Sequence, residues 1–147
     1  MIREAREDDL RRLMEMSERY YPKTYYANVV PFDADSIAVL HMALMENGIL
    51  LVAEIGDEVV GMCGFILSPF IFEPMVTGAY GVYWWVEPEY EGMGIGKEFL
   101  SAIDPLAKAR GASYIHVGCM ADSPIKAASL LIKSGYDHTE MSFTKRI

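Results

Sequence analysis

The run Glu91-Gly92-Met93-Gly94-Ile95-Gly96-Lys97 carries three glycines on alternate positions, after an apolar aromatic stretch and before a helical pattern. Glycine lets the backbone come close to a ligand and adopt left-handed angles, while a helix start offers unpaired N–H groups and the positive end of the helix dipole. Together they make a cradle for an anion, most naturally phosphate or pyrophosphate, with Lys97 available to add a charge. It is not a Walker A loop, because no Gly-Lys-Ser/Thr follows at the required spacing, and GMGIGKEF has no G-x-G-x-x-G dinucleotide fingerprint. Glycines in a strand-to-helix turn also serve ordinary tight turns and helix packing.

Such a turn needs a strand before it and a helix behind it. Ala79 to Val86 reads as the strand, unusually aromatic with Tyr80, Tyr83, Trp84 and Trp85, and Pro88 closes it. Ile95, Phe99, Ile103 and Leu106 form the stripe of the helix; Pro105 is expected to kink it or end its regular part, and Gly111 stops it. Upstream, a short strand near Ile2 leads to a helix with Leu10, Leu13, Met14 and Ser17 at helical spacing, ended by Pro22. The polar-aromatic connection YPKTYYANVVPF precedes a second helix, with Ile37, Leu40, His41 and Leu44 on one face and Asn47-Gly48 as its stop.

Leu50–Ile55 and Val59–Leu67, separated by Gly56, Asp57 and Glu58, read as a β-hairpin. SPFIFEPM, with two prolines, is expected not to continue the sheet. Ser113–Cys119 reads as a strand, Ser123 and Pro124 as N-cap and first position of a last helix, Gly135 as its breaker, and Tyr136–Ile147 as a closing strand-like alternation. The order is mixed α/β, with hairpins early and a crossover helix late, and a ligand site is expected where the central strands part, beside that helix.

The 147 residues, 52% hydrophobic and 23% charged, suit one soluble globular domain over residues 1–147, without disorder or a disulfide framework. Cys63 and Cys119 alone suit a reducing cytoplasm. No stretch reaches the roughly 18 apolar residues needed to cross a bilayer, and the start MIREAREDDLRR is charged where a signal peptide needs an apolar core. A net charge of -8 argues against binding phosphate backbones and fits a cationic or amine partner better. His41, His116 and His138 show no metal spacing, so no metal is expected, and Cys119 has no His partner that would make it a nucleophile.

Val86-Glu87-Pro88-Glu89-Tyr90-Glu91-Gly92-Met93-Gly94-Ile95-Gly96-Lys97 closely resembles the acetyl-CoA-binding segment of the GNAT superfamily of N-acetyltransferases, a V-x-P-x-Y-R-G-x-G-I-G-K type of string. The likeness spans nearly the whole chain: MIREAREDDL resembles the family's first strand and helix start, GDEVVGMCGF its second hairpin, and AASLLIKSGY its late helix. The resemblance implies a mixed, splayed β-sheet flanked by helices on both faces. It implies that the backbone amides of Gly92, Met93, Gly94, Ile95, Gly96 and Lys97 hold the coenzyme's pyrophosphate and that the backbone of Val86 pairs with the pantetheine arm. A homodimer is compatible with it.

Two departures stand out. Glu91 occupies a place where the family usually has Gln or Arg, and a carboxylate there is unhelpful to a pyrophosphate unless it points away. In the late helix the family's N-x-x-A-x-x-x-Y-x-x-x-G falls on Pro124, Ala127, Leu131 and Gly135, so the Tyr that often protonates the departing thiolate is missing. A water, Ser123, Ser129 or another tyrosine is left to supply that proton. For the general base, Tyr80 takes roughly the place where some family members carry a catalytic Glu, with Tyr83 and Glu87 near it.

Tyr83, Trp84 and Trp85 also suit plain core packing, and Tyr20, Tyr21, Tyr25 and Tyr26 suit either helix-end packing or recognition of an amine by cation–π contact. The function implied is transfer of an acetyl group from acetyl-CoA to a primary amine by direct attack, with no acyl-enzyme. The alternative is a non-catalytic acetyl-CoA sensor or partner-binding module of the same fold. A nucleotide-phosphate regulator lacks the residues that would hold a triphosphate and Mg²⁺. The acceptor itself is not readable, since the loops around residues 20–32 and 68–79 carry no recognisable motif.

Overall fold

The computed structural model of the chain describes residues 1–120, 123 and 125–147. Its elements are β1 (Ile2–Glu4), α1 (Leu10–Tyr20), α2 (Ala34–Asn47), β2 (Ile49–Ile55), β3 (Glu58–Phe70), β4 (Glu73–Val86), α3 (Ile95–Ala109), β5 (Ala112–His116) and α4 (Ile125–Lys133). The strands lie in the order β1-β2-β3-β4-β5, antiparallel except for the parallel β4–β5 pair. Pro124 lies outside the described residues, so the expected helix start there has no counterpart to report.

Alternation along the strands sorts the helices to the two faces. Ile49, Leu51, Ala53, Cys63, Phe65 and Ala79 pack with Ile95, Phe99, Ile103 and Ala107 of α3 on one face. Leu50, Val52, Val59, Met62 and Tyr83 pack with Leu13 and Met16 of α1 and Leu44 of α2 on the other. Each large apolar side chain so buried contributes about 1.5–3 kcal/mol. Trp84 stands perpendicular to Phe99, 5.7 Å between ring centroids, beneath α3, while Tyr83 and Trp85 point the opposite way towards Tyr20 of α1. The aromatic run is thus core on both faces of a single strand.

Four expectations change. SPFIFEPM does not end the sheet: β3 and β4 run through it, leaving Ile71 and Phe72 as the hairpin tip. Pro69 still pairs with Thr77, and the register slips between Pro69 and Phe70, an irregularity at which a missing N–H is tolerated. Pro105 does not end α3, which continues to Ala109. Pro105 and Ser101 both face solvent, where water can satisfy the carbonyl that a proline four residues on cannot.

The strand expected over 113–119 stops at His116. Residues 136–147 form no strand: Met141 is 74% and Phe143 86% exposed, so their alternation finds no face to bury. This tail lies near the α1–α2 connection instead, with Arg146 Nη1 donating to the carbonyl of Asn28 at 3.3 Å.

The early end of β5 opens the sheet. β4 pairs with β5 only from Thr77↔Ala112 to Tyr80↔His116, whereas its pairing with β3 continues to Gly61↔Val86. At the same level Gly64 pairs with Tyr83 and Phe65 with Gly81, which leaves Val82 as an extra residue on β4. Such a bulge adds local twist.

Candidate functional site

Beyond Tyr80 the edge of β4 that would face β5 has no ladder partner among the described residues. A cavity of about 660 Å³ occupies the gap, lined from β4 by Gly81, Val82, Tyr83 and Trp84 and from the chain after β5 by Val117, Gly118, Cys119 and Met120. Tyr20, Tyr21, Thr24 and Tyr26 reach it from the α1–α2 side, and Gly96, Ala127, Leu130 and Leu131 from α3 and α4. The cavity therefore passes through the sheet, and the glycine-rich turn stands at one end of it.

In that turn Gly92 has φ +81° and Gly94 φ +90°, conformations that side-chain-bearing residues rarely adopt. A Cβ built on either meets nothing within 4 Å, so the space above both is open. The N–H of Lys97 is taken by the carbonyl of Gly94 at 3.0 Å, and that of Met93 makes a long 3.4 Å bond to the carbonyl of Tyr90. Among the described residues the N–H groups of Gly92, Gly94, Ile95 and Gly96 have no backbone acceptor, so they are the donors left for a ligand at the positive end of the 15-residue α3. The side chains of Glu91 and Lys97 are exposed.

Gly96 has a different reason to be glycine. A Cβ there would lie 3.2 Å from Leu130 Cδ2 and 3.8 Å from Trp84 Cζ2, so its hydrogen side permits the start of α3 to approach α4 and β4. Val86 is half-buried and packs against the α3 core at the end of β4.

The three residues expected to serve catalysis do not converge. Tyr83, 9% exposed, lines the cavity, its ring lying so close over Gly64 that a Cβ there would be 2.9 Å from Tyr83 Cζ. Tyr80 is half-buried at the last β4–β5 pair, its hydroxyl hydrogen-bonded to that of Tyr114 and its ring 5.9 Å from His116. Glu87 is buried elsewhere, against α1: Arg19 grips its carboxylate with two nitrogens, Arg12 Nη2 lies 3.1 Å away, and Trp85 Nε1 donates to it at 3.2 Å. That ion cluster borders a second, open cleft of about 520 Å³ with Lys23, Glu58, Glu89 and Tyr90.

Three groups near the site were not singled out by the sequence reading. His41 Nδ1 is 2.7 Å from the Tyr83 hydroxyl, and His41 Nε2 is 3.0 Å from Ser17 Oγ. A signal existed, since Ser17 and His41 are the polar members of two apolar helix stripes. Tyr136 follows the Gly135 breaker, and its buried hydroxyl has no hydrogen-bond partner among the described residues; burial, then Asp104 and Cys63, push it up to about 12. Leu131, at the place where the resemblance expects a tyrosine, is a half-buried part of the cavity wall.

A five-stranded sheet splayed between a parallel pair, with helices on both faces and a glycine-rich turn opening a helix at the gap, is the architecture of an acetyltransferase fold. The chain matches the acetyltransferase (GNAT) family over residues 9–136 and belongs to that family. No curated protein matches it in sequence.

Among solved structures, a predicted acetyltransferase from Clostridium acetobutylicum with acetyl-CoA is 17% identical, with 99% of this chain and 95% of that chain covered and a TM-score of 0.74. A ribosomal-protein-alanine N-acetyltransferase from Brucella melitensis is 16% identical, covering 100% of this chain and 99% of that one at a TM-score of 0.74. An aminoglycoside acetyltransferase from an uncultured soil metagenomic sample, in complex with sisomicin, is 15% identical, covering 100% and 95% at a TM-score of 0.75. At these identities the likeness is one of fold.

Proposed function

We propose that this chain, as one domain over residues 1–147, is an acetyl-CoA-dependent N-acetyltransferase that delivers the acetyl group to a primary amine by direct attack, without an acyl-enzyme. The observation that carries the reading is the free edge of β4 between an open glycine turn and a cavity that runs through the sheet. A free strand edge accepts an extended, amide-bearing arm much as it accepts another strand, and this is the role given to the backbone around Val86. The N–H groups of Gly92, Gly94, Ile95 and Gly96 suit the pyrophosphate, with Met93 shaping the turn, Lys97 adding an exposed positive charge and Glu91 turned to solvent.

When bound, acetyl-CoA supplies the activated carbonyl carbon. The chain's part is to hold an amine and that carbon in register, which in well-oriented systems is worth up to about 7–11 kcal/mol of barrier. Tyr83, the member of the expected trio that lines the cavity, is assigned contact with the amine. Tyr80, tied to Tyr114, forms the wall where the strands part, and Glu87 braces the end of β4 against α1.

The neighbours named for a ribosomal-protein alanine and for an aminoglycoside support an amine as the reacting group; their acceptors differ too much to transfer a particular one. A second reading, a non-catalytic acetyl-CoA-binding module, draws support from Leu131 in place of the expected tyrosine. Isothermal titration with acetyl-CoA, together with a thiol-release assay over an amine panel, decides between them. Binding with turnover is expected. Binding without turnover on any amine leaves the non-catalytic module, and no binding removes both.

A further inference from the structure

We propose that His41 and Ser17, buried beneath the cavity, fix the direction of the Tyr83 hydroxyl so that its oxygen meets the acceptor amine only as a hydrogen-bond acceptor. The inference deepens the acetyl-transfer reading and rests on it. It begins at the inner end of the chain of contacts. Ser17 Oγ lies 2.9 Å from the Leu13 carbonyl oxygen, which can only accept, so the single hydroxyl hydrogen of Ser17 goes there. The oxygen is left to accept from His41 Nε2 at 3.0 Å. Because the hydrogen of Ser17 is already committed to Leu13, Nε2 must carry the ring hydrogen.

His41 has no exposed surface, and burial pushes its pKa down to about 4, so near pH 7 the ring is neutral and bears one N–H. Its Nδ1 is then a bare lone pair 2.7 Å from the Tyr83 oxygen, and the phenol must donate. That commits Tyr83's only hydrogen inward. What it offers the cavity is a lone pair, which suits the N–H of an amine and gives nothing to a carbonyl oxygen or a thiolate.

The surroundings hold this arrangement still. The Tyr83 ring is pressed over Gly64, and its own phenol is pushed far up by burial, so it keeps its hydrogen. The titratable groups packed against it are His41 of α2 and Tyr20 of α1; burial raises Tyr20, and likewise Cys63 on the opposite face of β3, leaving both neutral. Tyr83 touches the amine in this scheme; His41 and Ser17 act through it as positioning residues.

The direction can be read without coenzyme or acceptor, from the long-range proton–nitrogen NMR spectrum of the full chain, with His41 identified by its loss in His41→Gln. Expected is a hydrogen on Nε2 and a bare, hydrogen-bonded Nδ1, with Tyr83→Phe moving the Nδ1 signal alone towards the free lone-pair position. A hydrogen on Nδ1 would overturn the inference. With phenethylamine as probe amine, His41→Leu and Tyr83→Phe should each raise the amine KM about tenfold, the fold-change of about 1.4 kcal/mol, while acetyl-CoA affinity stays unchanged.

The double variant should lose no more than either single one, and His41→Gln, which can still accept from Tyr83 and donate to Ser17, should restore most of the loss. Losses that simply add would also overturn it, since two independent structural defects behave that way. The expected tautomer with no turnover on any amine counts against the acetyl-transfer reading, whereas turnover with hydrogen on Nδ1 counts against the hydroxyl direction alone.

Discussion

Glu87, just after β4, is held in a two-pronged ion pair by Arg19 of α1, and its side chain is 5% exposed while that of Arg19 is 45% exposed. The pair ties the strand that leads into the glycine turn to the helix on the opposite face of the sheet, and the N–H of Glu87 bonds to the Val60 carbonyl at 2.8 Å. Removing one partner of a buried pair leaves the other uncompensated, a penalty softened here because Arg19 reaches water.

Glu87→Gln is therefore expected to cost about 2 kcal/mol of folding stability. Urea unfolding of the variant checks this. A midpoint unchanged from the parent would mean that the ion cluster with Arg12, Arg19 and Trp85 contributes nothing.

Gly94→Asp should weaken acetyl-CoA binding by at least about tenfold, because it forces a left-handed position and sets a carboxylate beside the free amides. Gly96→Asp should weaken binding as well, but by crowding Leu130 at the start of α3, and with a fall in Tm that Gly94→Asp does not match. Calorimetric titration alongside thermal melts separates the two effects. Full affinity in both variants would refute the turn as the coenzyme site.

The His41 ring makes stability depend on pH. Its pKa falls from 6.5 in the unfolded chain to about 4 in the fold, so between those values the unfolded chain holds a proton that the folded chain lacks. Stability should decline as pH drops through this window, by at most about 1.4 kcal/mol per pH unit, and level off above it. Denaturation midpoints for the parent and His41→Gln across the window give the difference. Asp9, held below the usual carboxylate range chiefly by its hydrogen bond from Arg3, acts lower on the pH scale and cancels in the comparison.

Tyr136→Phe should stabilise the protein by about 1 kcal/mol, because it deletes a buried hydroxyl that has no partner among the described residues while keeping the ring. A lower Tm in the variant would show that the hydroxyl is bonded in solution.

Much of the frame was legible in the residues. Three glycines between an aromatic strand and an apolar helix stripe located the turn, and the structure has Gly92 and Gly94 left-handed with open space above them. The stripe Ile95, Phe99, Ile103 lies against the sheet as its spacing requires. Prolines misled at Pro69, Pro74 and Pro105, because a missing N–H is harmful only where a partner is waiting for it, and solvent or a slipped register removes that demand. The alternation of 136–147 misled in the opposite direction, since a strand also needs an edge and a face to cover.

By itself the sequence determined the α/β order, the glycine-rich strand-to-helix turn and the apolar stripes of the core, all of which depend on contacts between near neighbours or on periodicity. Only the tertiary structure decided which polar side chains meet. Glu87, four residues beyond Tyr83, turns away to Arg19 because β4 has by then passed the end of the cavity wall. Ser17, His41 and Tyr83 belong to three elements, and their spacing in the chain says nothing of a 2.7 Å contact that exists because α1 and α2 pack on one face of β4. Hydrogen bonds of that kind are set by the angle and depth at which elements dock, and these emerge only when the whole core closes.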